Sequence, residues 1–285
     1  MNILMTTDGQ KYSEEAIRFA GMLFKKAAPN VTIIHVRPYE ARETKKEARK
    51  YLDIAKGILS TFDIKPKLKM LQGDIVKEIM MELKDEDYDL LVLGSKSVSR
   101  VMMGVADSLL QKPLVDVAKS VRCSVLIVKD PPKTLNQVLV CTDGSPFAEM
   151  AANFWGKLSK EHEPRAVVLN IIPQLFSGFS SEFKSVTPDL LKVLAKVPGS
   201  RTKVVNRAKD ILERYGIEVK TKLREREYAA EEILKEEREV DYDLIVMGYR
   251  GRKYRTKIQA GSQSLEVAKN SQTSVLIYQP RRVVD

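Results

Sequence analysis

Asp241-Tyr-Asp-Leu-Ile-Val-Met-Gly248 is an apolar run closed by a glycine, and Asp87-Tyr-Asp-Leu-Leu-Val-Leu-Gly94 carries the same run 154 residues earlier. Three more blocks recur in the same order. Asn2-Ile-Leu-Met-Thr-Thr-Asp8-Gly9 returns as Gln137-Val-Leu-Val-Cys-Thr-Asp143-Gly144 at an offset of 135. Val31-Thr-Ile-Ile-His35-Val36-Arg-Pro38 returns as Ala166-Val-Val-Leu-Asn170-Ile171-Ile-Pro173 at the same offset, and Ser124-Val-Leu-Ile-Val128 as Ser274-Val-Leu-Ile-Tyr278 at 150. The rise from 135 to 154 places a 19-residue insertion after Pro173, and the fall to 150 gives the first copy four extra residues beyond Gly94. A repeat this long is a duplicated domain, since solenoid units run to roughly 20–50 residues.

Working outward from these blocks, short β-branched runs alternate with amphipathic stretches. Strands are predicted at about 2–7, 31–37, 66–71, 89–94 and 124–129 of the first copy. Between the first two, Ala16, Ala20, Leu23, Phe24 and Ala27 keep the spacing of one helical face. In the second copy, Ser145-Pro146 supplies an N-cap and a proline at the first helical position directly after Asp143-Gly144. Continuous apolar strands alternating with helices indicate parallel sheets covered on both faces. The fold class is therefore α/β, with two tandem five-stranded parallel-sheet domains at 1–133 and 134–285. Lys129-Asp-Pro-Pro-Lys-Thr134 is the expected joint, because its two prolines interrupt any regular element. Ligands of such sheets lie beyond the carboxyl ends of the strands, where the strand order reverses.

Gly248-Tyr-Arg-Gly251, nine residues and then Gly261-Ser262 follow the apolar run Leu244–Met247. Glycines leaving a buried strand, followed by Gly-Ser opening a helix, present bare backbone N–H groups to a phosphate. The first copy reads Gly94-Ser-Lys-Ser97, nine residues, then Asp107-Ser108. Ser97 adds a Cβ where backbone would approach a ligand, and Asp107 places a carboxylate where phosphate would sit. The alternative alignment from the far side selects Gln111-Lys112 and does not restore the glycine.

Bulk composition bounds the partners. The chain has 285 residues, 44% apolar and 30% charged, with a net charge of +10. That charge divides evenly, with 23 basic and 18 acidic residues through Lys133 and 25 and 20 after it. An even distribution fits an anionic small ligand better than nucleic acid, whose binders concentrate charge in an arm or one domain. No apolar stretch approaches the roughly 20 residues of a membrane span. Met1–Asp8 has no charged leader before its apolar run, so no signal peptide is expected. Cys123 and Cys141 adjoin apolar strands without metal-ligand spacing; reduced, buried thiols are expected, as in a cytoplasmic protein.

Thr-Asp-Gly ending the first strand, His35-Val36 or Asn170-Ile171 ending the second, and the G-x2-G-x9-G-S run after the fourth resemble the universal stress protein family, twice in tandem over nearly the whole chain. The resemblance implies a Rossmann-like sheet of the adenine-nucleotide α-hydrolase type, with strand order 3-2-1-4-5. It also implies association through the fifth strand, here between the two halves of one chain, with a homodimer also open. The family divides into ATP-binding members that keep the glycine motif and members that lack it. Carried over, Thr142 and Asp143 would lie against the adenosine, and Ile171 against the adenine. Met247, Gly248 and Gly251 would wrap the phosphates, with Gly261, Ser262 and Gln263 donating from the helix start. The ligand implied is ATP or AMP, with magnesium accompanying ATP and Asp143 as a carboxylate that could share it. In the first half Asp8, Val36 and Gly94 persist, so a nucleoside or monophosphate would lodge there weakly.

Other features read more plainly. Arg250, Arg252, Lys253, Arg255 and Lys257 place five cations within eight residues, as a complement to polyphosphate or as a solvated loop. Only Tyr249 and Tyr254 accompany them, which does not make a stacking platform for nucleic acid. The stretch Arg224–Glu239 carries Ala230, Ile233 and Leu234 on one face and is expected as a solvated helix. His35 ends a strand beside the crevice, where a structural role and a nucleoside contact both remain open, and His162 stands too far from it in sequence to argue for catalysis. The insertion around Gln174–Pro198 is a flap over the nucleotide or a surface elaboration.

The glycines lack a following Walker lysine, and no base stands out to position a water. The expectation is a nucleotide-binding regulatory protein, with a slow ATPase or a nucleotide-free interaction scaffold as the alternatives.

Overall fold

A computed structural model of the chain describes residues 1–27, 29–40, 42–95, 121–159, 162, 164–172, 197–225, 228–249 and 262–280. In the first half the elements are β1 (Asn2–Thr6), α1 (Lys11–Phe24), β2 (Asn30–Arg37), α2 (Lys45–Ser60), β3 (Lys67–Gln72), α3 (Ile75–Asp85), β4 (Leu90–Gly94) and β5 (Ser124–Val128). The second half has β6 (Gln137–Cys141), α4 (Pro146–Ser159), β7 (Arg165–Ile172), α5 (Val197–Glu213), β8 (Val219–Glu225), α6 (Ala229–Glu239), β9 (Leu244–Gly248), α7 (Ser262–Asn270) and β10 (Val275–Tyr278).

The strands form one sheet in the order β3-β2-β1-β4-β5-β10-β9-β6-β7-β8. Each half thus runs 3-2-1-4-5, with its own strands parallel. Strands β5 and β10 are antiparallel, in the register Val125↔Ile277, Leu126↔Leu276 and Ile127↔Val275. Two symmetric hydrogen-bond pairs close this seam. The Ser274 hydroxyl accepts from the Lys129 N–H at 3.0 Å and donates to the Lys129 carbonyl at 3.2 Å. The Ser124 hydroxyl does the same with the N–H and carbonyl of Gln279, both at 3.1 Å.

Helix starts follow local chemistry. Thr44 and Glu47 form a reciprocal capping box on α2, Asp74 caps α3, and Ser145 accepts from the Ala148 N–H so that α4 begins at Pro146. Apolar side chains fill both faces of the sheet. One core carries Ile17, Phe24, Leu52, Trp155 and Leu212 from α1, α2, α4 and α5, and the other carries Ile79, Ile233, Leu265 and Val267 from α3, α6 and α7. Each core draws residues from both halves, so the halves share two continuous apolar layers. Among the described residues, no helix is long and apolar enough to cross a membrane.

The outer strands β3 and β8 carry Lys67, Lys69, Lys220, Lys222 and Arg224, charges that discourage pairing of an open edge with another chain. Gly57 lies on the exposed face of α2, and a methyl group there would meet no atom within 4 Å. Gly57→Ala is therefore expected to stabilise the chain by about 0.5–1 kcal/mol, read as a rise in the urea midpoint.

Candidate functional site

The two Thr-Asp-Gly turns leave β1 and β6 with matched hydrogen bonding. Thr7 N–H donates to the Ile34 carbonyl at 3.0 Å, and Thr142 N–H to that of Leu169 at 2.9 Å. The threonine hydroxyls accept from Gly9 N–H at 3.3 Å and from Gly144 N–H at 3.1 Å. One carboxylate oxygen of each aspartate closes the turn: Asp8 accepts from Gln10 N–H at 3.0 Å and the Ser13 hydroxyl at 2.7 Å, and Asp143 from Ser145 N–H at 2.9 Å. The glycines take φ of +72° and +74°, a left-handed conformation that a side chain would strain.

A residue two positions before the end of the second strand of each half ties this turn down. His35 Nδ1 lies 2.8 Å from the Thr7 carbonyl, and Asn170 Nδ2 donates to the Thr142 carbonyl at 2.5 Å. A carbonyl only accepts, so Nδ1 of His35 carries a proton. His35 Nε2 meets the Glu43 carboxylate at 2.9 Å, and Tyr51 stands edge-on to the imidazole with 5.5 Å between ring centroids. With 3% exposure and both nitrogens engaged, His35 has a structural role. In the sequence Asn170 stands only as the counterpart of His35, with no role of its own. Its signal was the matched position, where two side-chain N–H donors align at the same offset.

The neighbouring strands β4 and β9 end at Gly94 and Gly248, beside those turns. A Cβ on Gly248 would stand 2.8 Å from the Phe147 carbonyl carbon and 2.9 Å from the Ala148 nitrogen. A Cβ on Gly94 would stand 2.6 Å from the Tyr12 carbonyl oxygen and 3.0 Å from the Ser13 Cα. Both glycines thus let a strand end pass the first turn of the helix that follows the neighbouring strand, α1 after β1 and α4 after β6. That packing need is common to the two halves, whatever either binds.

In the second half Thr142 and Met247 are buried, Ile171 is half-buried against the same apolar core as Met247, and Asp143 and Gly248 are partly open at the crevice. Ser262 begins α7. Gln263 is exposed, and its side-chain oxygen accepts from the Ala230 N–H at 2.8 Å. That bond satisfies an orphan donor at the start of α6, whose N-cap residue Tyr228 makes no side-chain cap. Gly251, Gly261, the cations from Arg250 to Lys257, and 174–196 of the insertion lie outside the described residues, as do Ser97, Asp107, Ser108, Gln111 and Lys112.

In the first half Asp8 is exposed, Val36 is 9% exposed and Gly94 packs on α1. The Tyr51 ring covers Gly9 so closely that a Cβ there would lie 2.3 Å from it. Tyr51 and Glu43 therefore cover the β1–β2 side of this crevice.

The expected solvated helix contains a buried ion cluster that periodicity did not reveal. Glu236 on α6 is fully buried, receiving Lys222 Nζ at 2.7 Å, the Tyr242 hydroxyl at 2.8 Å and the Arg224 guanidinium. Arg224 also meets Glu232 at 3.2 Å, and Glu239. Its counterpart in the first half joins Glu82 to Lys69 at 2.7 Å and to the Tyr88 hydroxyl at 2.6 Å. Burial and the Glu82 carboxylate push the Tyr88 hydroxyl up to about 12. The recurrence of Lys, Glu and Tyr at matched positions was the available signal. Both clusters lie beside the outer strands, away from the crevice, and fasten α3 and α6 to the sheet. Cys123 and Cys141 are buried free thiols, and burial, aided by Glu236, pushes the Cys141 thiol far above its usual range.

The whole chain is similar in structure to a universal stress protein from Archaeoglobus fulgidus DSM 4304, at 18% identity and a TM-score of 0.63, covering 98% of this chain and 96% of that one. It is also similar to a functionally unknown protein from Pseudomonas aeruginosa PAO1, at 13% identity and a TM-score of 0.63, covering 98% and 92%. A universal stress protein in complex with cAMP matches 52% of this chain and 99% of its own, at 21% identity and a TM-score of 0.39. The first two likenesses are of fold. No curated protein sequence matches. The profile of the universal stress protein family matches residues 1–129 and again 134–279. With two matches that together span nearly all of its length, the chain belongs to the universal stress protein family, as a tandem of two such domains.

Proposed function

We propose that the chain is a stress-response regulatory protein that holds one adenine nucleotide, ATP or AMP, in the crevice of its second half. The observation that carries this reading is the placement of α7. Its first turn follows the G-x2-G-x9-G-S run, whose first glycine ends a strand hydrogen-bonded to the one that delivers Asp143. Thr142, Asp143 and Ile171 would face the nucleoside. The backbones at Met247, Gly248, Gly251, Gly261 and Ser262 would face the phosphates, joined by the Gln263 N–H because its side-chain oxygen is committed to Ala230. Magnesium would enter with ATP.

The first half, with boundaries at 1–133, would serve as the pairing domain for 134–285, joined through their fifth strands. The β5–β10 register supports that assignment. Tyr51 over the turn between β1 and α1, with Glu43 on His35, supports one-sided binding, leaving at most weak nucleoside contact with Asp8, Val36 and Gly94. Buried free cysteines fit a cytoplasmic location.

Denaturing the purified chain and weighing the released small molecules tests the proposal. One adenine nucleotide per chain is expected. Two per chain would overturn the one-sided reading, and none, with no binding of added ATP or AMP, would favour a scaffold. Gly251→Val is expected to weaken ATP binding by about 100-fold or more, because a branched side chain blocks backbone approach to phosphate. Saturable ATP turnover would move the chain to the enzyme class.

A further inference from the structure

Lys129 directly follows β5 of the first half, and its side chain crosses the seam. Its ammonium donates to the carbonyls of Ala268 at 2.6 Å, Ser271 at 2.8 Å and Lys269 at 3.4 Å. These carbonyls lie in and just after the last turn of α7, where helix carbonyls lack intrahelical partners and the negative end of the helix dipole is exposed. The residue is only 3% exposed, and its backbone is held on both sides by the Ser274 hydroxyl. Burial pulls the ammonium down to about 8, while the nearby Glu237 carboxylate acts against that fall.

The position related to Lys129 across the seam is Gln279, whose backbone makes the equivalent bonds to Ser124. The seam is thus symmetric in its backbone bonding and asymmetric in charge. A cation is supplied to the helix of the second half from the first, and a neutral side chain stands at the reciprocal place. Within the second half, side chains also hold α7 and the residues that follow it. Gln263 bonds Ala230, and Glu237 accepts from the N–H groups of Gln272 and Thr273 at 2.7 and 2.6 Å.

The geometry points to Lys129 as a positioning residue for phosphate binding: the first half braces, from its far end, the helix whose start faces the phosphates in the second. This rests on the proposal that the nucleotide lies at the start of α7. A rigid helix shifted along its axis at one end is shifted at the other, so the brace acts on phosphate contacts and leaves nucleoside contacts on β6 and β7 alone. The first half then contributes to the site without binding nucleotide itself.

The test uses the full chain, with Lys129→Met and, should that variant not fold, Lys129→Gln. ATP and adenosine affinities are measured by calorimetry, and amide exchange is followed in α7 and β6. ATP affinity is expected to fall by about tenfold, within the usual range of coupling between distant sites. Adenosine affinity should change less than about twofold, while Leu265–Lys269 exchange about tenfold faster and Val138–Val140 are unchanged. Gln279→Met should leave ATP affinity at the parent value. An unchanged ATP affinity in a folded Lys129 variant, or equal losses for ATP and adenosine, overturns the positioning role. If the parent binds neither ligand, the nucleotide reading fails on its own. Exchange then decides the brace: acceleration confined to α7 upholds it, and unchanged exchange removes it.

Discussion

Replacing Gly248 by valine is expected to cost about 3 kcal/mol of stability and to disturb the crevice at the same time. A Cβ there meets backbone at 2.8 and 2.9 Å, at Phe147 and Ala148, and neither atom can rotate aside. The Ala148 N–H is also the donor that the Ser145 hydroxyl caps at the start of α4, at 3.2 Å. Overpacking commonly costs about 1–3 kcal/mol, and a lost cap adds about 1. Gly94→Val should behave alike, since its Cβ would meet Tyr12 backbone at 2.6 Å. Gly251→Val gives the contrast, its expected effect being on nucleotide binding. Urea unfolding of the Gly248 and Gly94 variants checks the cost. A Gly248→Val chain within about 0.5 kcal/mol of the parent, the ordinary range of surface substitutions, would remove the packing role.

Removing the Glu236 carboxylate is expected to cost a further large amount, about 3 kcal/mol for Glu236→Ala, because breaking a buried ion pair leaves its partners uncompensated. The buried Tyr242 hydroxyl loses its acceptor, and Lys222 and Arg224 lose their central anion. Glu239→Ala is the control. Its side chain is 46% exposed and Arg224 keeps Glu232 and Glu236, so a much smaller change than for Glu236→Ala is expected.

The cluster also sets a pH dependence. Burial alone would raise the Glu236 carboxyl, but Lys222, Tyr242 and Arg224 outweigh it and hold it below the usual carboxylate range. A depressed carboxylate contributes stability that is fully present above the unfolded value, about 4.3, and lost as pH falls through the lower folded value. Thermal unfolding between pH 3 and 6 should show a steeper acid loss in the parent than in Glu236→Gln, which has no proton to take up. Equal slopes would show that the carboxylate is not linked to folding.

Much of the architecture was legible because duplication wrote it twice. The blocks at 2–9, 31–38, 87–94 and 124–128 each became a strand or a strand and its turn within a residue or two, and Ser145-Pro146 opened α4 as expected. The nearness of Asp143 and Gly248 was legible too, since one follows and the other ends a pair of hydrogen-bonded strands. Less legible was why particular residues are there. Gly248 read as a phosphate glycine, yet its Cβ position is already taken by the backbone of α4. Gln263 read as a phosphate donor, yet its side-chain oxygen completes the start of α6.

The amino-acid sequence by itself determined the two-domain repeat, the strands, the turns and the difference between the two glycine motifs. All of these depend on residues close together in the chain, through periodicity, capping and backbone freedom. Tertiary structure alone decided that Lys129, in a charged and proline-rich joint, is buried against carbonyls 139 to 142 residues away. It also decided that Glu236, in a helix of alternating charge, is the anion at the centre of a buried cluster. The physical reason is that the worth of a charge is set by its desolvation and by the partners that folding brings to it. Neither quantity is carried by the residues beside it in sequence.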